Sequence, residues 1–247
     1  MTTFGTICSR VRRNIIDLPA SVTDAVPTLV NQAIRSLQQQ HNFQVMEAKQ
    51  LFVTTKHSRV LGPKPADFKE FRHRPYIITA MGHAFELGIA PDVLSAEREW
   101  GSEQGGEVDP AMIDGEPRVL AISEPSDDLG TCNLLVYPLP DGFADYADRE
   151  YRIVVPYWRY LPELDSDTAE NWFTRFAELY IEYEATSQGF FLDWDEERGT
   201  MWKQKAAEQF RYVKNEDKRA RLSQTDSVPI SLDVQGPRAL RGDLKRR

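Results

Sequence analysis

The sequence lacks most of the features by which enzymes and membrane proteins are recognised. Its 247 residues include only two cysteines, Cys8 and Cys132, and four histidines. No histidine belongs to a His-Glu-x-x-His pattern, and no His–Cys cluster has the spacing of zinc ligands. No apolar run approaches the roughly 20 residues that a helix needs to cross a bilayer. We therefore predict no metal, no cofactor and no membrane association.

Catalytic motifs are missing as well. The stretch 101–106 contains three glycines but lacks the lysine of a phosphate-binding loop. No Gly-x-Ser-x-Gly turn or Cys–His pair indicates a nucleophile. The acidic run 193–197 could hold a cation, but a helix start favours carboxylates without any metal. The prediction is that the protein is not an enzyme.

What the sequence does contain is ordinary globular material with many prolines in its middle part. Hydrophobic residues make up 41% and charged residues 28% of the chain. Eleven of the 15 prolines lie between residues 63 and 162, which favours short strands and bends over a large regular sheet. In a protein assembled in a reducing cytoplasm, two distant cysteines are expected to be reduced, buried thiols.

Hydrophobic periodicity predicts helices at both ends of the chain and strands between them. The first two helices are expected over 3–17 and 24–40. Short strands are expected over 46–54, 67–72, 76–79, 118–122, 134–137 and 151–158. A Pro-Asp-Gly turn between the last two predicts that they form a hairpin. The stretch 95–115 is acidic and predicts a loop with a short helical start.

A helical hairpin is predicted after residue 164. Asp167 and Glu170 have capping-box spacing, Gly189 marks the end of the first helix, and the second opens near Asp193. Lys203 falls on the polar side and should tolerate truncation. The residues predicted to form the core of this part of the bundle are Trp172, Phe176, Leu179, Tyr183, Trp202 and Phe210.

Together these elements predict an α+β fold with four parts. Residues 1–42 supply the N-terminal helices of a bundle, 43–164 an inserted β-rich domain, and 165–222 the C-terminal helical hairpin. Residues 223–247 have too little apolar content to fold alone and are predicted to form an extended tail.

Charge is distributed unevenly along the chain. The net charge is −8, but residues 200–247 contain 12 Lys/Arg against 6 Asp/Glu, so that residues 1–199 carry −14. Such a basic end is either a solvated helix face with a basic tail, or a segment that docks on an acidic partner or on nucleic acid.

The tail combines two patterns that suit docking. Apolar residues alternate between 228 and 234, as in a segment that adds a strand to another protein's sheet edge. Basic residues near its end can pair with acidic groups on the same partner. The predicted interface residues are Val228, Ile230, Leu232, Val234, Arg238, Leu240, Arg241, Leu244, Lys245, Arg246 and Arg247.

The order of segments resembles one family, the adaptor (connector) proteins that form the ring below the portal in tailed bacteriophages. The resemblance covers most of the chain. After the N-terminal helices it rests on HNF at 41–43, MEA at 46–48, VTT at 53–55, PADFKE at 65–70, GEP at 115–117, YPLPDG at 137–142 and YWRY at 157–160, followed by a helix that begins with tryptophan.

This resemblance implies a structural virion protein located at the neck, between the capsid portal and the tail, and present in the host cytoplasm during assembly. The family's ring is twelve-fold and encloses a DNA channel. The implied partners are the portal protein, neighbouring copies, a tail or nozzle (head-completion) protein below, and double-stranded DNA that passes without sequence recognition. The C-terminal segment is implied to embrace the portal.

Two other functions remain open from the sequence. The basic C-terminus could belong to a nucleic-acid-binding module, although it has no interleaved aromatic residues on which bases could stack. A tail-associated cell-wall hydrolase would need two carboxylates held close together, which the β-rich part could supply.

Overall fold

A computed structural model describes residues 2–78, 84–100, 102–104, 107–109, 114–125, 131–141 and 150–225. The fold is α+β, as predicted: N-terminal helices, two small sheets, and a C-terminal helix pair that packs on the N-terminal helices. The helices are α1 (Phe4–Asn14), α2 (Ala20–Asp24), α3 (Val26–Gln40), α4 (Val93–Trp100), α5 (Trp172–Phe176), α6 (Glu178–Leu192) and α7 (Glu196–Thr225).

The strands are short, in agreement with the density of prolines. They are β1 (Glu47–Val53), β2 (Val60–Pro63), β3 (Phe68–Phe71), β4 (Tyr76–Ile78), β5 (Ala84–Glu86), β6 (Gly88–Ile89), β7 (Ser102–Gln104), β8 (Glu107–Asp109), β9 (Asp114–Gly115), β10 (Val119–Ile122), β11 (Asn133–Tyr137), β12 (Leu139–Pro140) and β13 (Arg152–Arg159).

Two sheets share one apolar core. Sheet A has the order β1-β13-β4-β5, with β3 pairing the far end of β13, and sheet B has the order β2-β11-β10-β6. Ile153 and Val155 of β13 and Leu134 and Val136 of β11 are buried in the same cluster. On the opposite face of sheet B, α4 covers a second cluster that includes Ala96 and Leu135.

The predicted hairpin between residues 134–137 and 151–158 is wrong. β11 pairs with β10 and β2, whereas β13 pairs with β1, β3 and β4. Both strands are buried on both faces along most of their length. Each is an interior strand of its own sheet with packed layers on its two faces, and the chain crosses from one sheet to the other between them.

Helix α6 lies at the centre of the bundle and contacts α1 and α3 as well as α7. Gly189, predicted to end this helix, lies inside it, and the helix continues to Leu192. An added Cβ at Gly189 would lie 3.4 Å from Ile15 and 3.7 Å from Val22. The glycine thus allows α1 and α2 to approach α6 closely.

The helical bundle and the β sandwich are joined through the segment that follows β13. Trp158, at the end of β13, is buried in the helical core. Gln38 of α3 accepts a 2.6 Å hydrogen bond from the amide of Leu161, and Asn31 exchanges two hydrogen bonds with the backbone of Leu164. These buried or half-buried side chains fix how the chain leaves the sheet and enters α5.

The start of the C-terminal helices differs from the prediction. α5 begins at Trp172 and is capped by Asn171, whose side chain accepts from the amide of Thr174, so that Asp167 and Glu170 are not the capping pair. Residues 223–225 belong to α7, and the predicted tail is therefore three residues too long at its start.

Candidate interaction surfaces

The turn between α6 and α7 presents an exposed tryptophan. The amides of Asp193 and Asp195 both donate to the carbonyl of Phe190, at 3.1 and 3.0 Å. Trp194 between them has a φ of 60° and an exposure of 87%. A left-handed conformation is unfavourable for a bulky residue, and here it directs the indole away from the helical core.

The same turn is acidic and partly apolar around the indole. Asp195 caps α7 by accepting a 2.9 Å hydrogen bond from the amide of Arg198. That hydrogen bond lowers the pKa of the Asp195 carboxyl below its ordinary value. Phe191 and Leu192 are exposed beside it, at 42% and 56%. The run 193–197 was predicted only as a helix start, although a tryptophan between two aspartates is not typical of an apolar helix stripe.

The outer face of sheet A forms a second open surface. A groove of about 820 Å³ crosses it between β1 and β5, with Glu47, Arg72, Tyr76, Glu86 and Pro156 among its lining residues. Leu51 and Val53 of β1 are exposed next to it. Two ion pairs lie at its rim, Arg72 with Glu47 at 2.9 Å and Arg74 with Glu86 at 3.8 Å.

The last turns of α7 are anchored where the bundle meets the β sandwich. Asp217 is 2% exposed and accepts from the amide of Gln44 at 2.8 Å and from Arg221 Nε at 3.1 Å. Its other close neighbour is His41, whose Nε2 lies 3.2 Å from Asp217 Oδ2. Burial lowers the pKa of His41, against the opposing effect of Asp217. This network fixes the point from which the C-terminal segment departs.

The predicted bundle-core residues divide into two groups. Trp172, Tyr183, Trp202 and Phe210 are half-buried against the helical core. The prediction was wrong for Phe176 and Leu179, which are 58% and 40% exposed.

A break at Ala177 explains the two exposed residues. Ala177 has a φ of −124°, outside the helical range, and it separates α5 from α6. The break shifts the helical register, so that Phe173, Ala177, Tyr180 and Ile181 are the fully buried residues of this segment. A single uninterrupted stripe through Trp172 and Phe176 therefore does not describe the packing.

All eleven predicted tail residues, from Val228 to Arg247, lie outside the described residues, and their role as an interface stays a prediction. The two cysteines differ: Cys8 is buried, and burial raises the pKa of its thiol to about 11. Cys132 is only half-buried, so the expectation of burial was wrong for it.

Within the part of the chain that the structure describes, no group of three His, Cys, Asp or Glu side chains is placed to hold a metal ion. No described helix is both long enough and apolar enough to span a bilayer. The best-defined features of the molecule are thus exposed surfaces and an anchored C-terminal departure point.

Comparison with known proteins identifies the family. A search of curated proteins gives no match. The family model described as SU10 adaptor protein matches residues 2–229, which is nearly the whole chain and confirms the resemblance drawn from the segment order. The α+β fold, the extensive packing between the terminal helices and the exposed apolar turn suit a protein that works through contacts with others. The chain therefore belongs to the SU10 adaptor protein family and is a bacteriophage head-to-tail adaptor of the virion.

Proposed function

We propose that twelve copies of this chain form a ring that joins the portal to the tail and encloses the channel through which DNA passes. The observation that carries this proposal is the family match over residues 2–229. The role is structural and non-enzymatic. The site of action is the neck of the virion, after assembly in the host cytoplasm.

The charge distribution supports a channel through which DNA slides. Residues 1–199 carry a net charge of −14, and a channel wall formed mainly by this part of the chain would repel phosphates at the ionic strength of a cell over distances of about 8 Å. A protein that bound the duplex through its backbone would need the opposite sign. The DNA is thus a passing partner, recognised neither by sequence nor by charge.

The C-terminal segment supplies the attachment to the portal in this proposal. Helix α7 runs to Thr225 and is held at Asp217 and Arg221, so that residues 226–247 start from a fixed point. Of these residues, 228–234 carry an apolar side chain at every second position, with Pro229 as the only break in the alternation, and 238–247 contain five basic residues. An added strand with a basic end would bind a sheet edge bordered by carboxylates. The opposite side of the ring contacts a tail or nozzle protein.

The proposal is tested by mixing the purified chain with portal rings of the same phage and imaging the complexes by electron microscopy. We expect a second ring, coaxial with the portal, whose class averages have twelve-fold symmetry. Particles in which the portal stays bare at saturating concentrations of the chain would contradict the role as an adaptor. A ring of another symmetry would contradict the copy number alone.

A further inference from the structure

The turn between α6 and α7 places the most exposed large apolar side chain of the described residues, Trp194, among four carboxylates. Asp193, Asp195, Glu196 and Glu197 flank it in sequence, and Arg198 is the single basic residue of the turn. Tryptophan buries 150–250 Å² when covered and is among the commonest residues at the centre of interfaces. An acidic knob of this kind suits a partner surface that is apolar at its centre and basic at its rim.

Such a surface exists on the same molecule, between α1 and α2. A shallow groove of about 580 Å³ there is lined by Arg12, Arg13, Ile16, Leu18 and Ala20, together with Ser9 and Thr23. Ile16 is 74% exposed. Within the described part of the chain, neither guanidinium is in an ion pair with a carboxylate. The groove thus offers apolar area and two uncompensated positive charges.

The knob and the groove are different surfaces near the same end of the bundle, because α1 runs alongside α6 from Arg10 beside Glu182 to Ile15 beside Gly189. Gly189 of α6 faces Ile15 and Val22, next to the groove, whereas Ser187 donates a 2.8 Å hydrogen bond to the carbonyl of Gly199, next to the knob. Ser187 and Gly189 are two positions apart on α6 and are therefore separated by about 200° around the helix axis, so that these two contacts point in nearly opposite directions. Because Trp194 is 87% exposed, it does not fill the groove of its own chain.

We propose that Trp194 of one copy inserts into the α1–α2 groove of the next copy, with the carboxylates of the turn facing Arg12 and Arg13. Two unlike surfaces of one subunit give a head-to-tail contact, which closes into a ring when the rotation per step allows it. The inference rests on the proposed ring and names the contact that builds it. The acidic flank of Trp194 makes DNA an unsuitable occupant, since phosphates would be repelled.

The first test separates the two surfaces by substitution. Trp194→Ala should weaken assembly on portal rings by about 30-fold or more, the effect of losing a central tryptophan. The double variant Arg12→Glu/Arg13→Glu should weaken it as well, and adding Glu196→Lys/Glu197→Lys to that variant should restore it. The control is Tyr212→Ala, which removes a 58% exposed aromatic residue from the middle of α7. Trp194→Ala and Tyr212→Ala truncate exposed side chains, and their thermal unfolding should match that of the wild-type chain. The charge reversals oppose the dipoles of α1 and α7 and should lower the melting temperature slightly, so assembly is compared at a temperature at which all of the chains are folded.

The second test asks whether the two surfaces meet. A chain with both Trp194→Cys and Ala20→Cys should give a ladder of cross-linked species longer than dimers when oxidised on the portal. The single variant Trp194→Cys should give at most dimers, and the wild-type chain controls for Cys8 and Cys132. A ring on the portal without this ladder would overturn the inference and leave the proposed function intact. If the wild-type chain forms no ring on the portal, the proposed function fails. The contact is then tested by oxidising the double-cysteine chain at high concentration without the portal, where the absence of the ladder would overturn the inference.

Discussion

At the scale of single residues, the buried carboxylate of Glu184 in the bundle is paired with Lys203. Glu184 lies on α6 with its side chain 3% exposed, and Lys203 of α7 pairs with its carboxylate. A buried carboxylate that loses its cation keeps the desolvation cost without the compensating attraction. The expectation that Lys203 tolerates truncation therefore overlooks the partner that the fold gives it.

We predict that Lys203→Ala lowers the free energy of unfolding by about 1–3 kcal/mol, because among the described residues Glu184 then keeps only the neutral hydrogen bond from Gln188 at 3.3 Å. Adding Glu184→Gln should recover part of that loss, because it removes the uncompensated charge. Lys218→Ala, which truncates an exposed lysine on the same helix, is the matched control and should have no measurable effect. Denaturant unfolding of the four chains measures these differences, and equal midpoints for Lys203→Ala and Lys218→Ala would show that the pair contributes nothing.

His41 should make the junction sensitive to mild acid. Burial lowers the pKa of its imidazole in the folded chain, whereas the unfolded chain takes up the proton near pH 6.5. The unfolded state thus binds more protons below that pH, and stability is lost as the pH falls from about 6.5 through the folded pKa.

We expect the melting temperature of His41→Gln to fall less than that of the wild-type chain between pH 7.5 and pH 5.5. The exposed histidine of His73→Gln provides the control, and its melting curve should follow the wild-type chain at both values. If His41→Gln loses more stability in acid than the wild-type chain, the charge of Asp217 dominates over burial.

At the scale of elements, two helical glycines that look alike in the sequence have different surroundings. At Gly189 an added Cβ meets only side-chain atoms at 3.4 Å or more. At Gly5 it would lie 2.8 Å from Cβ and 3.0 Å from the carbonyl oxygen of Asp167, and the Gly5 amide donates to that same carbonyl at 3.0 Å. Backbone atoms held by a hydrogen bond cannot move away cheaply.

The same substitution should therefore have opposite effects at these two positions. Gly189→Ala should be neutral or stabilising by up to about 1 kcal/mol, because alanine is the better helix former. Gly5→Ala should destabilise by about 1–3 kcal/mol, the usual cost of overpacking. Thermal or denaturant unfolding of both variants checks the signs, and Gly189→Leu, which inserts a bulky side chain between α6 and α1, should be destabilising as an internal control.

Local patterns along the chain predicted elements well and their partners poorly. Six strands, among them β1, β10 and β13, were predicted to within one residue, because alternation and proline positions are local signals. The partners of β11 and β13 were predicted wrongly, because the Pro-Asp-Gly turn between these strands indicates only that the chain changes direction. Whether a strand then pairs with its neighbour or joins another sheet depends on strands that are distant in the sequence, as β1 is from β13.

The exposed surface was the hardest part to predict for a related reason. A helix break at Ala177 depends on tertiary packing and moved Phe176 and Leu179 out of the core. The role of Asp217 became visible only when the fold placed it beside His41. For Trp194, by contrast, the sequence contains a signal. A tryptophan between acidic residues predicts an exposed aromatic side chain.

At the scale of the whole molecule, the C-terminal segment separates folding from attachment. Asp217 and Arg221 hold the end of α7 against the backbone of residues 42 and 44, and both residues lie before Thr225. Removing residues 226–247 therefore leaves the described core intact. We predict that this truncated chain melts at the same temperature as the full chain but no longer attaches to portal rings.

The two halves of the segment should then contribute in different ways. If residues 228–234 add a strand to the portal, replacing Val228, Ile230, Leu232 and Val234 by serine should abolish attachment, because these side chains share one face of the strand. Replacing Ser231 and Asp233, which point to the other face, by alanine should matter much less and is the matched control.

The five basic residues between 238 and 247 attract carboxylates over a longer range than the apolar contacts. Replacing all five by serine should therefore weaken attachment and make it less sensitive to salt. Co-sedimentation with portal rings at 50 and 300 mM salt measures both effects. If the truncated chain occupies portal rings as fully as the intact chain, attachment to the portal lies on the helices, and the segment has no part in it.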